Sequence, residues 1–463
     1  MQTTELEQLL AKWNPHFQSG KARWEDITPR SYYLDKLWGA MPLRHIMVLT
    51  GVRRSGKSTL MHQMIGKLLG EGTNPTNIVY LQLEDSLVDK YLLEHESQGD
   101  DISIVGAGLL EKLFAIYREK YNPQGKIYLF LDEIQGIRGF NRVLNDWYES
   151  QENLKCVVSG SRKSLIDSEM ATLLTGRTVT FTIYPFNFRE YLATRGVSLH
   201  SPLAIRETRD AYFDQTHTIL HHLGKYLHEG AFPEIVTTNS EANKNLIATS
   251  YYKDFLARDI IGPNQIRNTR DAEVLGLQIL ADFTKTHTYR SLARPLKLTS
   301  PTVKSYLEYF YQAYLFYETT FFSYSTKKTQ DIQKERKIYV VDTGLRNFNA
   351  LFKTEDLGRC AENLVYLELS QRNNAVFYWR GKQEVDFVVR SPDVKLYNCT
   401  YTDDVPGREI SGLVEGMNEF KLNHSILLTK NTLENRQVED KQIDLIPLWV
   451  WLLADPSSHQ SYH

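Results

Sequence analysis

A glycine-punctuated stretch in the first part of the chain carries residue types that bind phosphate. Residues 51–58 read GVRRSGKS, with two glycines, a lysine and a hydroxyl in the spacing GxxxxGK[ST]. Glycine lets the backbone curl until consecutive N–H groups point at one anion, the lysine neutralises the β- and γ-phosphates, and the hydroxyl ligates Mg²⁺. A strand pattern precedes the motif and a helix pattern follows it, as a phosphate-binding loop requires. The sequence therefore predicts an ATP site formed by Gly51, Val52, Arg53, Arg54, Ser55, Gly56, Lys57, Ser58 and Thr59.

Two adjacent acids follow another apolar segment. In IYLFLDEIQ, residues 128–131 are apolar, and Asp132 and Glu133 come directly after them. In phosphoryl transfer, acids at such a position hold the metal ion and orient the attacking water. We therefore expect Asp132 to join Ser58 in the Mg²⁺ shell and Glu133 to polarise the water, so that ATP is hydrolysed as well as bound.

Two further positions are candidates for catalysis. The segment LKCVVSGS ends in Ser159 and Ser161, either of which could bond the attacking water or the γ-phosphate, and Ser159 is preferred. Arg177 follows Gly176, and an arginine at such a place can reach the γ-phosphate of a neighbouring subunit. The alternative for Arg177 is an ordinary solvated arginine. The catalytic reading predicts a homo-oligomer, such as a ring, in which hydrolysis depends on assembly.

Composition excludes several classes of protein. The 463 residues carry a net charge of −2, so the chain is not an indiscriminate basic binder of nucleic acid, and any such site must be local. Three isolated cysteines, Cys156, Cys360 and Cys399, form no CxxC pair, which argues against a zinc site and a disulfide framework. The longest apolar run, residues 445–454, is about half the length of a bilayer span. We expect a cytoplasmic protein without a membrane partner.

Apolar strand patterns alternate with helical patterns from residue 47 to about residue 188. The strands are HIMVLTG, NIVYLQLED, KIYLFLDE, LKCVVSGS and TVTFTIYP. Near-continuous apolar strands separated by helices indicate a buried parallel sheet. The sequence predicts an α/β domain here.

The chain resembles the AAA-type ATPases of a large bacterial and archaeal family in GVRRSGKSTL, YLFLDEIQ, SGSRKSL and LLTGRTVTFTIYPFNFREYL. Members of that family carry a C-terminal domain known as domain of unknown function 4143. This chain resembles that C-terminal domain in five segments, which occur in the same order: YLHEGAFPEIV, YYKDFLARDI, KIYVVDTGLRN, AENLVYLEL and VFYWRGKQEVDFVV. The resemblance extends from about residue 25 to the end of the chain.

A basic segment lies in the middle of the chain. Residues 284–304 contain five basic residues and no acid, in a pattern of helix, turn and helix. Leu307, Phe310 and Tyr314 would line the buried face of the second helix. Two strands around a charged loop follow, which together predict a winged helix. Its duplex-binding face would carry Arg290, Arg294, Lys297, Thr302 and Lys304, with Lys327 and Lys328 on the wing. The alternative is a winged helix that only packs between domains.

The resemblance implies that the last domain has the PD-(D/E)XK nuclease fold. Glu362 on a helix and Asp386 on a strand match two of its metal-binding carboxylates. The fold then requires Glu-x-Lys on the next strand, where Asn398 and Thr400 stand instead. Lys382 and Lys395 are the alternative lysines. We predict that the nuclease site is inactive.

These observations predict an oligomeric, Mg²⁺-dependent ATPase that acts on duplex or branched DNA. The alternative is a regulatory or signalling ATPase whose C-terminal half binds a protein partner. The expected fold class is α/β, and the expected domains are a helical lead-in (1–40), a P-loop AAA-type ATPase domain (41–200), a helical domain (201–280), a winged-helix-like module (281–336) and an inactive nuclease-like α/β domain (337–463).

Overall fold

The structure is a computed structural model that describes residues 3–21, 27–163, 173–325, 335–350, 356–372, 375–390 and 393–456. The chain forms two compact units. The first comprises Met1–Ile183 and Gln312–Tyr314, and the second comprises Tyr184–Tyr311 and Leu315–His463. The expected ATPase domain runs to residue 200, whereas the first unit's main segment ends at Ile183 and the second unit begins at Tyr184.

A parallel sheet forms the centre of the first unit, as the apolar strand patterns predicted. Its strand order is β2-β3-β4-β1-β5, and every neighbouring pair is parallel. All residues of β1 are buried, which explains why these strands read as continuous apolar runs. The strands are β1 (Ile46–Thr50), β2 (Ile78–Gln82), β3 (Ile127–Asp132), β4 (Leu154–Gly160) and β5 (Thr178–Thr182).

Helices cover this sheet. The lead-in helix buries Leu6, Leu9, Leu10 and Trp13, the face that the sequence pattern predicted. Asn14, just after it, exchanges hydrogen bonds with the backbone of Tyr80 on β2, so the lead-in belongs to the same core. The helices are α1 (Thr3–Trp13), α2 (His16–Ser19), α3 (Ser31–Ala40), α4 (Lys57–Gly70), α5 (Ser86–Ser97), α6 (Ile102–Tyr121) and α7 (Phe140–Ser150).

The second unit begins with helices. One of them, α12, continues into a π-helical segment, Phe255–Ile261. The helices are α8 (Phe188–Thr194), α9 (Ile205–Ala211), α10 (Thr216–Glu229), α11 (Pro233–Thr237), α12 (Glu241–Asp254), α13 (Thr269–Asp282), α14 (Tyr289–Leu296) and α15 (Ser300–Gln312).

A small antiparallel sheet follows, with the order β6-β8-β7. Its strands are β6 (Thr286–His287), β7 (Phe316–Thr320) and β8 (Arg336–Val340). The predicted boundary between residues 336 and 337 thus falls inside β8. Leu307 and Phe310 are buried on α15, as predicted, together with Val303. The third predicted residue, Tyr314, is buried but lies beyond the end of this helix.

The C-terminal part of the second unit is a six-stranded mixed sheet with the order β13-β14-β12-β11-β10-β9. Neighbouring strands from β9 to β11 are antiparallel, whereas β11 and β12 are parallel. The elements are α16 (Thr343–Asn349), α17 (Leu357–Gln371), β9 (Ala375–Arg380), β10 (Glu384–Arg390), β11 (Val394–Cys399), α18 (Gly407–Phe420), β12 (His424–Thr429), β13 (Glu434–Val438), β14 (Lys441–Pro447) and α19 (Leu448–Leu453).

Among the described residues, no helix combines the length and the apolar character needed to cross a membrane. Cys156, Cys360 and Cys399 are free thiols.

Candidate active site

The glycine-rich loop joins β1 to α4. Gly51 has φ 138°, and a Cβ at this position would lie 2.2 Å from the carbonyl oxygen of Ile183. Gly56 (φ 93°) and Arg54 (φ 65°) also adopt positive φ, so the chain turns sharply before the helix begins at Lys57. The loop therefore depends on glycine where the sequence motif places it.

Lys57 lies at the centre of this turn. Its side chain is buried, and its Nζ donates to the carbonyl oxygens of Gly51 (3.0 Å) and Val52 (3.1 Å). The same Nζ lies 3.8 Å from a carboxylate oxygen of Glu133. The loop and the acid pair thus converge, which the sequence could suggest only by the order of the motifs.

Asp132 ends β3 and is buried. Its carboxylate accepts hydrogen bonds from the Tyr80 hydroxyl (2.5 Å) and the Ser159 hydroxyl, and Ser58 also lies within hydrogen-bonding reach. Burial and the neighbouring Glu133 raise the pKa of Asp132, while these three hydroxyls oppose the rise. A carboxylate beside a loop hydroxyl is a donor set that fits Mg²⁺.

Glu133 adopts a left-handed conformation (φ 53°) directly after the strand. Its backbone N–H donates to Ser159 Oγ at 2.9 Å, and its carboxylate accepts from Gln135. Burial acts to raise the pKa of Glu133, but the charges of Lys57 and Arg53 outweigh it, so the pKa is lowered. A carboxylate that stays ionised beside the loop can polarise water.

The two serines at the end of β4 have different surroundings. Ser159 connects Asp132 to the backbone of Glu133, whereas Ser161 contacts Gln135 at 3.1 Å and lowers the pKa of Glu133. Ser159 therefore fixes the acid pair, and Ser161 lies beside the Glu133 carboxylate. Sequence analysis missed Tyr80 and Gln135 because neither belongs to a recognisable motif.

Two arginines make contacts that hold the loop in place. Arg53 forms an ion pair with Glu84 at 2.8 Å. Arg30, which sequence analysis also missed, is buried and donates to the Ser55 carbonyl at 2.7 Å. It supports the loop from outside, through a contact that only the tertiary structure creates.

Arg177 lies just before β5 and contacts α7 of its own chain. Its guanidinium donates to Asn145 Oδ1 (2.7 Å) and the Leu173 carbonyl (2.8 Å), pairs with Glu149 (2.5 Å) and lies over the ring of Tyr148. An action of Arg177 across a subunit interface stays a prediction.

Two segments of the chain match known protein-family models. Residues 43–192 match the model described as "AAA domain". The first unit contains an AAA-type P-loop ATPase domain. Its parallel sheet and phosphate loop agree with this match. Residues 220–356 match a second model, described as "Domain of unknown function (DUF8612)". The likeness to domain of unknown function 4143 stays a prediction.

Relatives resemble the chain over most of its length. A protein of Methanocaldococcus jannaschii described as uncharacterized is 29% identical over 88% of this chain and 88% of its own. One of Haemophilus influenzae, described in the same way, is 28% identical over 92% of this chain and 98% of its own. Among solved structures, the Walker-type ATPase PABY2304 of Pyrococcus abyssi has a TM-score of 0.43 and 16% identity, over 71% of this chain and 97% of its own.

The described residues of the predicted DNA-binding face belong to the second unit. Arg290, Arg294, Lys297 and Lys304 are exposed on α14, α15 and the turn between them, and Thr302 is half-buried. The helix α15 begins at Ser300, and the hydroxyl of the preceding Thr299 accepts a hydrogen bond from the N–H of Thr302. Lys327 and Lys328 lie outside the described residues.

The carboxylates of the predicted nuclease site come together, but around a lysine that sequence analysis missed. Lys337 on β8 is buried, and its Nζ lies 2.9 Å from Glu362, 3.3 Å from Asp386 and 2.6 Å from Glu384. Burial raises the pKa of Glu362 to about 7; Lys337 opposes this rise and Asp386 adds to it. The signal in the sequence was a lysine within the otherwise apolar strand KIYVV.

Asn398 and Thr400 take no part in this ion-pair cluster. Asn398 is fully buried, accepts from the N–H of Asp386 (2.9 Å) and donates to Glu409 (2.9 Å). Thr400 is buried just beyond β11. The two alternative lysines lie elsewhere: Lys382 is exposed, and Lys395 is half-buried on β11. It is Lys337 that lies among the three carboxylates.

Proposed function

We propose that this protein is a Mg²⁺-dependent ATPase that works as a homo-oligomer and couples hydrolysis to the binding or remodelling of duplex or branched DNA. The observation that carries the ATPase part is the convergence of Lys57, Asp132 and Glu133 at one edge of the sheet. These are the groups that phosphoryl transfer needs for charge neutralisation, metal binding and water activation.

Each residue has a distinct role in this proposal. The loop N–H groups and Lys57 would hold the ATP phosphates, and Ser58 and Asp132 would hold Mg²⁺, which neutralises phosphate charge when bound. Glu133 would orient and polarise the attacking water, and Ser161 would help to position its carboxylate. Ser159 would keep Asp132 and Glu133 in register, as its two hydrogen bonds suggest.

The DNA part of the proposal is supported by the basic residues of α14 and α15. The order helix, strand, two helices and two strands, with the sheet order β6-β8-β7, supports the proposal of a winged helix. Four exposed basic side chains on and between its last two helices could neutralise phosphates. An ATPase assay with and without duplex and branched DNA tests this part. Turnover that no DNA form changes would favour a protein partner instead.

Reversing the charge of two residues in this basic cluster should weaken DNA binding. We expect Lys297→Glu/Lys304→Glu to reduce affinity for all sequences alike and to lower the slope of log affinity against log salt, because fewer counterions are released. Binding measured by fluorescence anisotropy at several salt concentrations checks this. Reversal of Lys90 and Lys112, exposed lysines of the first unit, is the control. Unchanged affinity in the cluster variant would place the DNA site elsewhere.

Mixing two inactive variants should restore part of the ATPase activity if Arg177 acts in trans. Arg177→Ala subunits would lack the arginine, and Glu133→Gln subunits would lack the group that activates water. At an interface between them, one complete site can form, so the mixture should exceed both pure variants. Equal low activity at all mixing ratios, or full wild-type activity of a monomer at low concentration, would contradict this role. Such results would assign Arg177 to its contact with Glu149 alone.

A further inference from the structure

The C-terminal sheet lies in the part of the chain that the sequence predicts to be nuclease-like. The order α17, β9, β10, β11, α18 and β12 gives a helix, an antiparallel three-stranded meander, a second helix and a parallel strand. Glu362 on α17 and Asp386 on β10 approach the same point. A nuclease of this fold would hold Mg²⁺ with such carboxylates. The question is whether the residues present fit the ion.

The Lys337 ammonium already occupies the point where the carboxylates converge. An ammonium has three N–H donors, and three carboxylates lie within 3.3 Å of Nζ, from Glu362, Glu384 and Asp386. The Lys337 side chain is 2% exposed, so it cannot leave the cluster by a simple rotation into solvent. A divalent cation would have to displace it.

Further hydrogen bonds hold two of these carboxylates in place. The second carboxylate oxygen of Asp386 accepts from the N–H of Cys399 at 3.0 Å, and the Tyr339 hydroxyl donates to Glu362 at 3.2 Å. The amide of Asn398, at the position of the missing acid, is used by Asp386 and Glu409. Mg²⁺ requires near-octahedral oxygen ligands at about 2.0–2.1 Å. The Lys337 Nζ lies 2.6 to 3.3 Å from the three carboxylates, so an ion cannot take the point between them while the ammonium is there.

The charges agree with the geometry. Three acidic side chains lie within 3.3 Å of the buried Lys337 Nζ, and together they compensate the charge of its ammonium. Within the described residues, no group of three or more histidine, cysteine or acidic side chains has the arrangement of a metal site. With Lys337 in place, the donor set therefore does not fit a divalent cation.

We propose that the Lys337 ammonium takes the place of a divalent cation among Glu362, Glu384 and Asp386. The cluster then binds no metal ion, and the lysine compensates the charge of its carboxylates. The proposal is independent of ATP hydrolysis. It predicts that removal of the ammonium creates a metal site, since the carboxylates would be left uncompensated.

The test counts Mn²⁺ ions bound by the nucleotide-free, full-length protein, using electron paramagnetic resonance of free Mn²⁺. Lys337→Met should bind one Mn²⁺ per chain more than the wild-type protein does. Its affinity at the carboxylate cluster should be at least about tenfold higher than that of the wild-type cluster. Lys337→Met/Asp386→Asn should lose the additional ion. Lys382→Met, which removes an exposed lysine, should bind as wild type. A folded Lys337→Met protein, judged by circular dichroism, that gains no ion would overturn the proposal.

A second measurement decides the matter if Lys337→Met does not fold. Asp386→Asn in the otherwise wild-type chain should leave the number of bound Mn²⁺ ions unchanged, because Asp386 binds no metal there. Loss of one ion would overturn the proposal. Wild type should also yield no products from linear, nicked or branched DNA with Mg²⁺ or Mn²⁺. Cleavage that Asp386→Ala abolishes would likewise show that a metal can enter the cluster.

Discussion

Glu133→Gln should bind ATP but hydrolyse it on the order of 100-fold or more slowly, because loss of a positioned general base typically costs about 10²–10⁴-fold. The amide keeps the size of the side chain but cannot polarise water as a carboxylate does. Lys57→Ala should lose ATP binding itself. Removing one partner of a buried charge pair, here the lysine that faces the ATP phosphates, costs about 2–5 kcal/mol of binding free energy. Phosphate release and nucleotide binding, measured separately, distinguish the two effects.

The control for this pair is Glu152→Gln, which neutralises an exposed acid of the same unit. It should bind and hydrolyse ATP like wild type. If Glu133→Gln hydrolysed ATP at the wild-type rate, another group would have to activate the water. Asp132 is then the acid to consider, because it lies in the same hydrogen-bonded group.

Glu229→Ala should destabilise the second unit by about 3–5 kcal/mol, the cost of leaving a buried charge uncompensated. Glu229 ends α10, is 3% exposed, and accepts from the Tyr191 hydroxyl (2.6 Å), Arg195 (2.5 Å) and Lys244. The partner Lys244 is itself buried. Without Glu229, it retains only the exposed carboxylate of Glu241 at 3.0 Å. Denaturant unfolding at pH 7 measures the difference.

The loss should also depend on pH, with a sign that follows from the pKa of Glu229. Burial acts to raise this pKa, but Lys244, Tyr191 and Arg195 lower it below the ordinary value of 4.5. The unfolded state therefore binds more protons as the pH falls below about 4.5, and the stabilisation by Glu229 is lost there. The difference in stability between wild type and Glu229→Ala should shrink in this range.

The control variant is Glu241→Ala, which removes the exposed partner of Lys244. It should cost no more than about 1 kcal/mol of stability. An equally small effect of Glu229→Ala would contradict the argument.

Much of the first unit could be predicted because its signals are local. The apolar strand patterns led to the five strands of the parallel sheet, and the spacing of Gly51, Gly56 and Lys57 led to a loop between strand and helix. A buried strand and a tight turn each impose their requirement on neighbouring residues, so the requirement is readable along the chain.

The finer parts of the site depended on packing between distant segments. The sequence pattern does not distinguish the roles of Ser159 and Ser161. Because β3 pairs with β4, Ser159 bonds to Asp132, whereas Ser161 bonds to Gln135. The supporting contacts of Tyr80 and Arg30 follow no periodicity. Such contacts join residues far apart in the chain, and sequence patterns do not encode their distances.

The sequence by itself determined the AAA-type ATPase domain, because its motifs depend on residue type at a fixed spacing. Only the tertiary structure decided what fills the carboxylate cluster. Lys337 belongs to a strand of the small sheet, and it meets Glu362 and Asp386 because β8 packs beside α17 and β10. Burial then decides the chemistry: three carboxylates in a low-dielectric site require a cation, and the fold supplies it from its own chain.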